Sequence, residues 1–190
     1  QGTAVETGHT RMVFSLAGGG ALRFSDIRTF GCVYGFAAGE EIAVPGLQSL
    51  GPEPLSDDFT SSYLASALKG RKQPVKSFLL DQRRIAGLGN IYADEALFLA
   101  GIDPRRAAGS LSAQECRCLA EAVRKVLREG ITDGGTTFRD YRNGAGESGH
   151  HQEHLLVYHR EGKPCPACGR PVEKTTVGGR GTHFCPYCQS

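Results

Sequence analysis

Four cysteines near the C-terminus constrain this chain more than any other feature. Cys165-Pro-Ala-Cys168 is followed, after sixteen residues, by Cys185-Pro-Tyr-Cys188. Each Cys-x-x-Cys makes a tight knuckle that aims two sulfurs at one point, and the spacing between the pairs suits a hairpin that brings the knuckles together around a tetrahedral zinc ion. Two disulfides would use the same residues, but the paired spacing favours the metal. Between the knuckles, Thr175-Thr-Val-Gly-Gly-Arg-Gly-Thr-His-Phe184 alternates strand formers around a glycine-rich turn, which predicts a hairpin with Arg180 at its tip. An arginine on such a tip is usually just solvated, so spacing by itself assigns it no role.

Composition narrows the class. The chain has 190 residues, 39% of them hydrophobic, enough for one sizeable domain or two small ones. No apolar run approaches the roughly 18 residues of a membrane span. The expected setting is a reducing cytoplasm, with no membrane partner. Cys32, Cys116 and Cys118 form no pairing pattern, and an odd remainder suits a reducing compartment. Net charge is only +2, yet Lys69, Arg71, Lys72, Lys76, Arg83 and Arg84 face Asp81 alone between positions 69 and 84, a local +5. Four thiolates on one Zn²⁺ carry about −2, so anion binding near the cysteines would need placed side chains rather than bulk charge.

Read in order, Met12–Leu16 and Ala21–Phe24 are strands around Ala17-Gly-Gly-Gly20, and Cys32–Phe36 is expected as another. So few strands make no stable sheet alone. Residues 37–55 are rich in Gly and Pro and read as a linker. Helices follow. One is expected after caps at Ser56-Asp57-Asp58, with Phe59, Tyr63, Leu64, Ala67 and Leu68 on one face and Gly70 as its stop. Ser112-Ala-Gln-Glu115 has capping-box spacing before an apolar stripe that runs to Gly130 and includes Cys116, read as core. Arg84-Ile-Ala-Gly-Leu-Gly-Asn90 places a glycine pair before a helix with Asn90 as N-cap, where first-turn amides can meet a phosphate oxygen; the alternative is that Gly87 and Gly89 simply allow a close helix crossing. Gly134-Gly-Thr-Thr is a second tight junction. His150, His151 and His154 lie in a polar loop without an accompanying carboxylate or cysteine pattern, and are expected as mobile surface histidines. Leu155–Tyr158 is expected as a short strand.

Together these pieces resemble the formamidopyrimidine-DNA glycosylase family. Leu79–Glu95 resembles its helix–two-turns–helix, and Asp26-Ile-Arg-Thr-Phe-Gly31, Leu50-Gly-Pro-Glu-Pro-Leu55, Gly134-Gly-Thr-Thr137 and the four cysteines follow the same order. The resemblance implies an α+β chain with three parts: residues 1–49 as the last strands of a β-sandwich domain and linker, 50–145 as the helix–two-turns–helix domain, and 146–190 as a lesion-side loop and zinc finger.

The implied function is base-excision repair of oxidised purines, 8-oxoguanine and formamidopyrimidine, by glycosidic cleavage and β,δ-elimination. The implied cofactor is one structural zinc held by Cys165, Cys168, Cys185 and Cys188. The implied partner is double-stranded DNA carrying oxidised bases or abasic sites, bound by a monomer. By the same resemblance, His9, Arg71 and Lys76 contact phosphate, Arg28 and Phe30 fill the gap left by the flipped nucleotide, and Asn90 holds phosphate beside the lesion. Arg180 matches an arginine that grips the flanking phosphates and is given a catalytic, proton-donor role in δ-elimination. A guanidinium with a pKa above about 12 is a poor acid but an excellent bidentate anion ligand, which favours the clamp.

The family's nucleophile is an N-terminal proline followed by glutamate, and Gln1-Gly2 does not match it. The expectation is a truncated member that supplies DNA binding and is inactive alone. Competing readings are an endonuclease VIII-like enzyme for oxidised pyrimidines, compatible with Glu173-Lys-Thr-Thr176, a non-catalytic damaged-DNA binder, and a zinc-ribbon interaction domain, which leaves residues 26–141 unexplained.

Overall fold

The computed structural model describes residues 8–39, 44, 46–138, 141 and 147–190. Gln1-Gly2 and positions 142–146 of the polar loop lie outside the described residues. The chain divides into two compact units, residues 1–48 and 49–190.

In the first unit, β1 (Thr10–Ser15) pairs antiparallel with β2 (Ala21–Ser25). Gly19 and Gly20 supply the positive φ angles of the connecting turn. The expected strand at Cys32–Phe36 does not form: among the described residues β1 and β2 make a two-stranded sheet, and residues 32–37 belong to no ladder. Apolar side chains of this unit, Met12, Phe14, Leu22 and Val33 among them, are exposed. A two-stranded ribbon has no second layer on which to bury them.

In the second unit, four α-helices among the described residues enclose the core. They are α1 (Ser61–Leu68), α2 (Val75–Leu79), α3 (Asn90–Leu99) and α4 (Ala113–Thr132). Phe59, Leu64, Phe78, Leu97, Leu119 and Val123 are fully buried among them, as is Cys116. The caps explain the boundaries. Thr60, not Ser56–Asp58, caps α1, its hydroxyl accepting from Tyr63 N–H at 3.0 Å. The preceding segment is held instead by Arg124, whose guanidinium donates to Ser56 O and Phe59 O at 2.8 and 2.7 Å. Ser112 and Glu115 close the expected capping box of α4.

Gly134-Gly135 is the tight junction expected from its glycines. It ends α4: Gly134 N–H bonds Ile131 O at 3.1 Å and Gly135 N–H bonds Gly130 O at 2.8 Å, with Gly134 at φ +70, a Schellman stop.

The C-terminal hairpin pairs β3 (Glu173–Val177) with β4 (Arg180–Phe184). Val177 faces Arg180 across a two-residue turn, Gly178-Gly179, both at positive φ (56 and 75), as such tight hairpin turns require. Arg180 is therefore the first residue of β4 rather than the tip. The expected strand at Leu155–Tyr158 is absent for a clear reason. The N–H groups of Leu156, Val157 and Tyr158 converge on the Glu95 carboxylate at 2.7, 3.0 and 2.8 Å, which no flat strand allows.

Candidate nucleic-acid interface and zinc centre

The four cysteine sulfurs lie within 4.8 Å of one another, Cys168 to Cys185 at 3.6 Å and Cys165 to Cys188 at 3.9 Å. Tetrahedral Zn–S bonds of about 2.3 Å place sulfurs about 3.8 Å apart, so the donor set fits one zinc without rearrangement. Behind the knuckles, Val157, Val172, Cys165 and Cys185 pack on Phe98 from α3. Gln189 locks the C-terminal knuckle: its Oε1 accepts Cys185 N–H at 2.7 Å, and its Nε2 donates to Ile102 O at 2.9 Å. The finger is thus fastened to the C-terminal end of α3, and four thiolates leave a bound zinc no open position for substrate.

The hairpin is fastened again at its far end. Asn90, the first residue of α3, donates from Nδ2 to Gly181 O at 3.0 Å. Gly89, not Asn90, is the N-cap of α3, because the Asn90 amide turns across to β4 instead of back onto its own helix. Deeper, the Lys76 ammonium from α2 meets Asp94 Oδ1 at 2.6 Å, Gly181 O at 2.9 Å and Thr182 Oγ1 at 2.8 Å. Asp94 in turn accepts His183 N–H at 2.9 Å. Ser77 packs so closely under the hairpin turn that a Cβ on Gly178 would collide with it.

This geometry corrects the expected role of Lys76. Its side chain is fully buried and all three of its protons are taken, so it cannot reach a phosphate. Burial pushes its pKa below the ordinary lysine value, against the pull of Asp94, and the nearby charge of Arg180 adds to the lowering. Lys76 is a strut beneath the hairpin, and Arg180 itself stands exposed above it.

The turns before α3 are held by Gln82. Its Oε1 accepts Gly87 N–H at 2.7 Å and its Nε2 donates to Leu88 O at 3.1 Å. Gly87 takes φ +79 there. The Leu50–Leu55 segment lies across these turns: Gly51 N–H bonds Gln82 O at 2.9 Å, Ala86 N–H bonds Pro52 O at 3.1 Å, and a side chain on Gly51 would strike the Arg84 backbone. Arg71, just beyond α1, is exposed, its Nε donating to Ala67 O at 3.4 Å. The structure therefore brings Asn90, Lys76 and the Arg180 strand together, with Arg71 elsewhere on the same unit.

His9, Arg28 and Phe30 belong to the first unit. Asp26 organises the turn that carries the last two, accepting Arg28 N–H at 3.0 Å and Gly31 N–H at 2.6 Å. These bonds, that from Gly31 foremost, hold its carboxyl below the usual range. Thr29 sits at φ +59, the Arg28 guanidinium lies 5.8 Å over the Phe30 ring, and Phe30 is 80% exposed. The turn presents a cation and an aromatic ring side by side to solvent. His9 is exposed, and its carbonyl accepts Asp26 N–H at 2.9 Å.

A group invisible in the sequence lies at the end of α4. Asp133 Oδ2 stands 2.8 Å from Nδ1 of both His151 and His154. His151 is buried, contrary to the expectation of mobile surface histidines, because Asp133 supplies the carboxylate that the local pattern lacked.

Comparison with known proteins agrees with this architecture. A model described as "Formamidopyrimidine-DNA glycosylase H2TH domain" matches residues 50–142, and one described as "Zinc finger found in FPG and IleRS" matches residues 162–190. The formamidopyrimidine-DNA glycosylase of Moorella thermoacetica is 55% identical over 92% of this chain and 64% of its own length. That of Shouchella clausii is 47% identical over 100% of this chain and 68% of its own. The crystal structure of the MutM (Fpg) protein from Thermus thermophilus superposes with a TM-score of 0.90 at 50% identity, covering 97% of this chain and 70% of that one. The Lactococcus lactis Fpg, in complex with DNA containing an abasic site, gives 0.89 at 34% identity, over 99% and 69%. The chain thus spans about two thirds of the relatives it matches (64% and 68% of the two sequences above). With a zinc-stapled hairpin tied to the turn before α3, and relatives this similar along its length, the chain belongs to the formamidopyrimidine-DNA glycosylase family.

Proposed function

We propose that this chain forms the DNA-gripping part of a base-excision repair enzyme that removes oxidised purines and cleaves the resulting abasic strand. The observation that carries the reading is the bond from Asn90 to Gly181, which makes the turn before α3 and the Arg180 strand one unit. Arg180 then acts as a clamp on phosphates flanking the lesion, with Asn90 and the amides of the α3 N-terminus beside it. In this reading Lys76 and Asp94 set the height of the clamp and touch no DNA.

Flipping a nucleotide costs a few kcal/mol of stacking and pairing, least at damaged positions. Arg28 and Phe30 offset part of that cost by entering the gap, while His9 and Arg71 add phosphate contacts. That Lactococcus lactis Fpg is found with abasic-site DNA and with Fapy-dG DNA supports the same partner here. The three parts proposed for the chain are residues 1–49, 50–145 and 146–190. The protein acts as a monomer in the cytoplasm, a setting suited to the odd remainder of Cys32, Cys116 and Cys118 outside the four-cysteine pattern.

The test is excision by the full-length protein that contains this chain, on duplexes carrying 8-oxoguanine, formamidopyrimidine or an oxidised pyrimidine. Release of the purine lesions with β,δ-elimination products is expected. Preference for the pyrimidine lesion would overturn the assignment in favour of an endonuclease VIII-like enzyme. In the isolated chain, Arg180→Ala should weaken binding to an abasic-site duplex by roughly ten- to a hundred-fold, the worth of one charged hydrogen-bonded pair. Its zinc content should equal that of the parent chain.

A further inference from the structure

We propose that Asp133, His151 and His154 form a second divalent-cation site, for Zn²⁺ or an ion of similar preference, that clamps the segment 147–154 to the end of α4. Two imidazoles and one carboxylate are a recognised set for such ions, and three ligands leave a position for water. The ligand atoms already converge: Nδ1 of each histidine lies 2.8 Å from Asp133 Oδ2, and the three atoms lie within 4.8 Å of one another. Zinc bonds of about 2.0–2.1 Å place tetrahedral ligands about 3.3 Å apart, so each of the two 2.8 Å approaches to Asp133 opens by about half an ångström when an ion enters.

The ligands are held by backbone rather than by chance rotamers. Asp133 is the C-cap of the twenty-residue helix α4. Its carbonyl accepts His150 N–H at 2.9 Å, and His151 N–H bonds Gly135 O at 3.1 Å. His151 and His154 sit three apart on one short 3₁₀ turn, which stacks their side chains on the same face. The buried His151 ring packs on Tyr92 with centroids 5.4 Å apart, which fixes its orientation.

Electrostatics favour a cation. The C-terminal end of a long helix carries about half a negative charge, and Asp133 sits on it. The three ligands border a cleft of about 460 Å³ whose wall includes Glu129, one turn earlier on α4. Lys125 and Arg128 also line that cleft, and Lys125 approaches Glu129 at 3.9 Å. Glu95 lines it too but offers no ligand, because its oxygens accept the N–H groups of residues 156–158.

An ion here would stiffen a segment already tied inward. Gly149 N–H bonds Thr137 Oγ1 and Thr137 N–H bonds Gln152 Oε1, both at 2.9 Å. The site shares no ligand with the four-cysteine centre.

The experiment is zinc stoichiometry of the full chain, equilibrated with micromolar free zinc and measured by elemental analysis. The variants Asp133→Asn and His154→Ala are treated in the same way. His154 is largely exposed, so its variant tests the site even if Asp133→Asn perturbs α4. Two zincs in the parent and one in His154→Ala support the proposal. One zinc in the parent at saturation, or two retained in both variants, overturns it.

Discussion

At the scale of the residue, Lys76 and Arg180 divide labour that a charge count cannot separate. Both are basic and lie in basic or glycine-rich surroundings, yet one is fully buried and the other exposed. The sequence could not distinguish them because the partners of Lys76 are remote: Asp94 lies eighteen positions away, and Gly181 is 105 positions away. Replacing Lys76 with Met leaves Asp94 buried and unpaired, which costs about 3–5 kcal/mol. Urea unfolding of K76M should show that loss, while R180A should unfold like the parent. The same remoteness hid Asp133, which reaches His151 and His154 from 18 and 21 positions away. By contrast, the four cysteines and Cys116 were legible, since knuckle spacing and a helical stripe are local patterns.

At the scale of the element, caps and staples decide which segments hold. Glu115 closes the N-terminus of α4 and pairs with Arg106 at 2.5 Å. The Arg106 guanidinium, helped by Ser112 N–H, brings the Glu115 carboxyl from 4.5 down to about 2. A depressed carboxylate contributes stability above its unfolded pKa and loses it as pH falls through the folded value. Stability should therefore decline between about pH 4.5 and pH 2, and E115Q should flatten that limb of an acid-unfolding curve.

The zinc finger is the other staple. Only a few apolar side chains, Val157, Val172 and Phe98 among them, pack around its cysteines, so the metal supplies most of its folding energy. Chelation should abolish the hairpin and with it binding to abasic-site DNA, while circular dichroism retains the helical signal of α1 to α4. Loss of the helices in step with zinc would show that the finger supports the core and does not merely lean on it. The capping box could be read in the sequence, because it is a three-residue spacing. The strands expected at Cys32–Phe36 and Leu155–Tyr158 could not be judged there. A strand is made by its neighbours, and the first has none in the ladder among the described residues, while the N–H groups of the second belong to Glu95.

At the scale of the whole molecule, net charge is only +2, so any DNA affinity has to come from placed cations rather than a general field. The family resemblance was legible because its motifs are short and ordered. What it could not convey is how they are joined: Asn90 bonded to Gly181, Lys76 bridging α2, α3 and β4, and Gly178 pressed on Ser77. These cross-links make the helical turns and the hairpin a single grip. The direct test is the salt dependence of binding between the chain and an abasic-site duplex, for the parent and for R180A. The parent should lose affinity linearly in log–log form, with a slope of about 0.9 per phosphate contacted, and R180A should lower that slope by about one contact. A parent slope near zero, or an R180A slope equal to the parent's, would contradict the clamp.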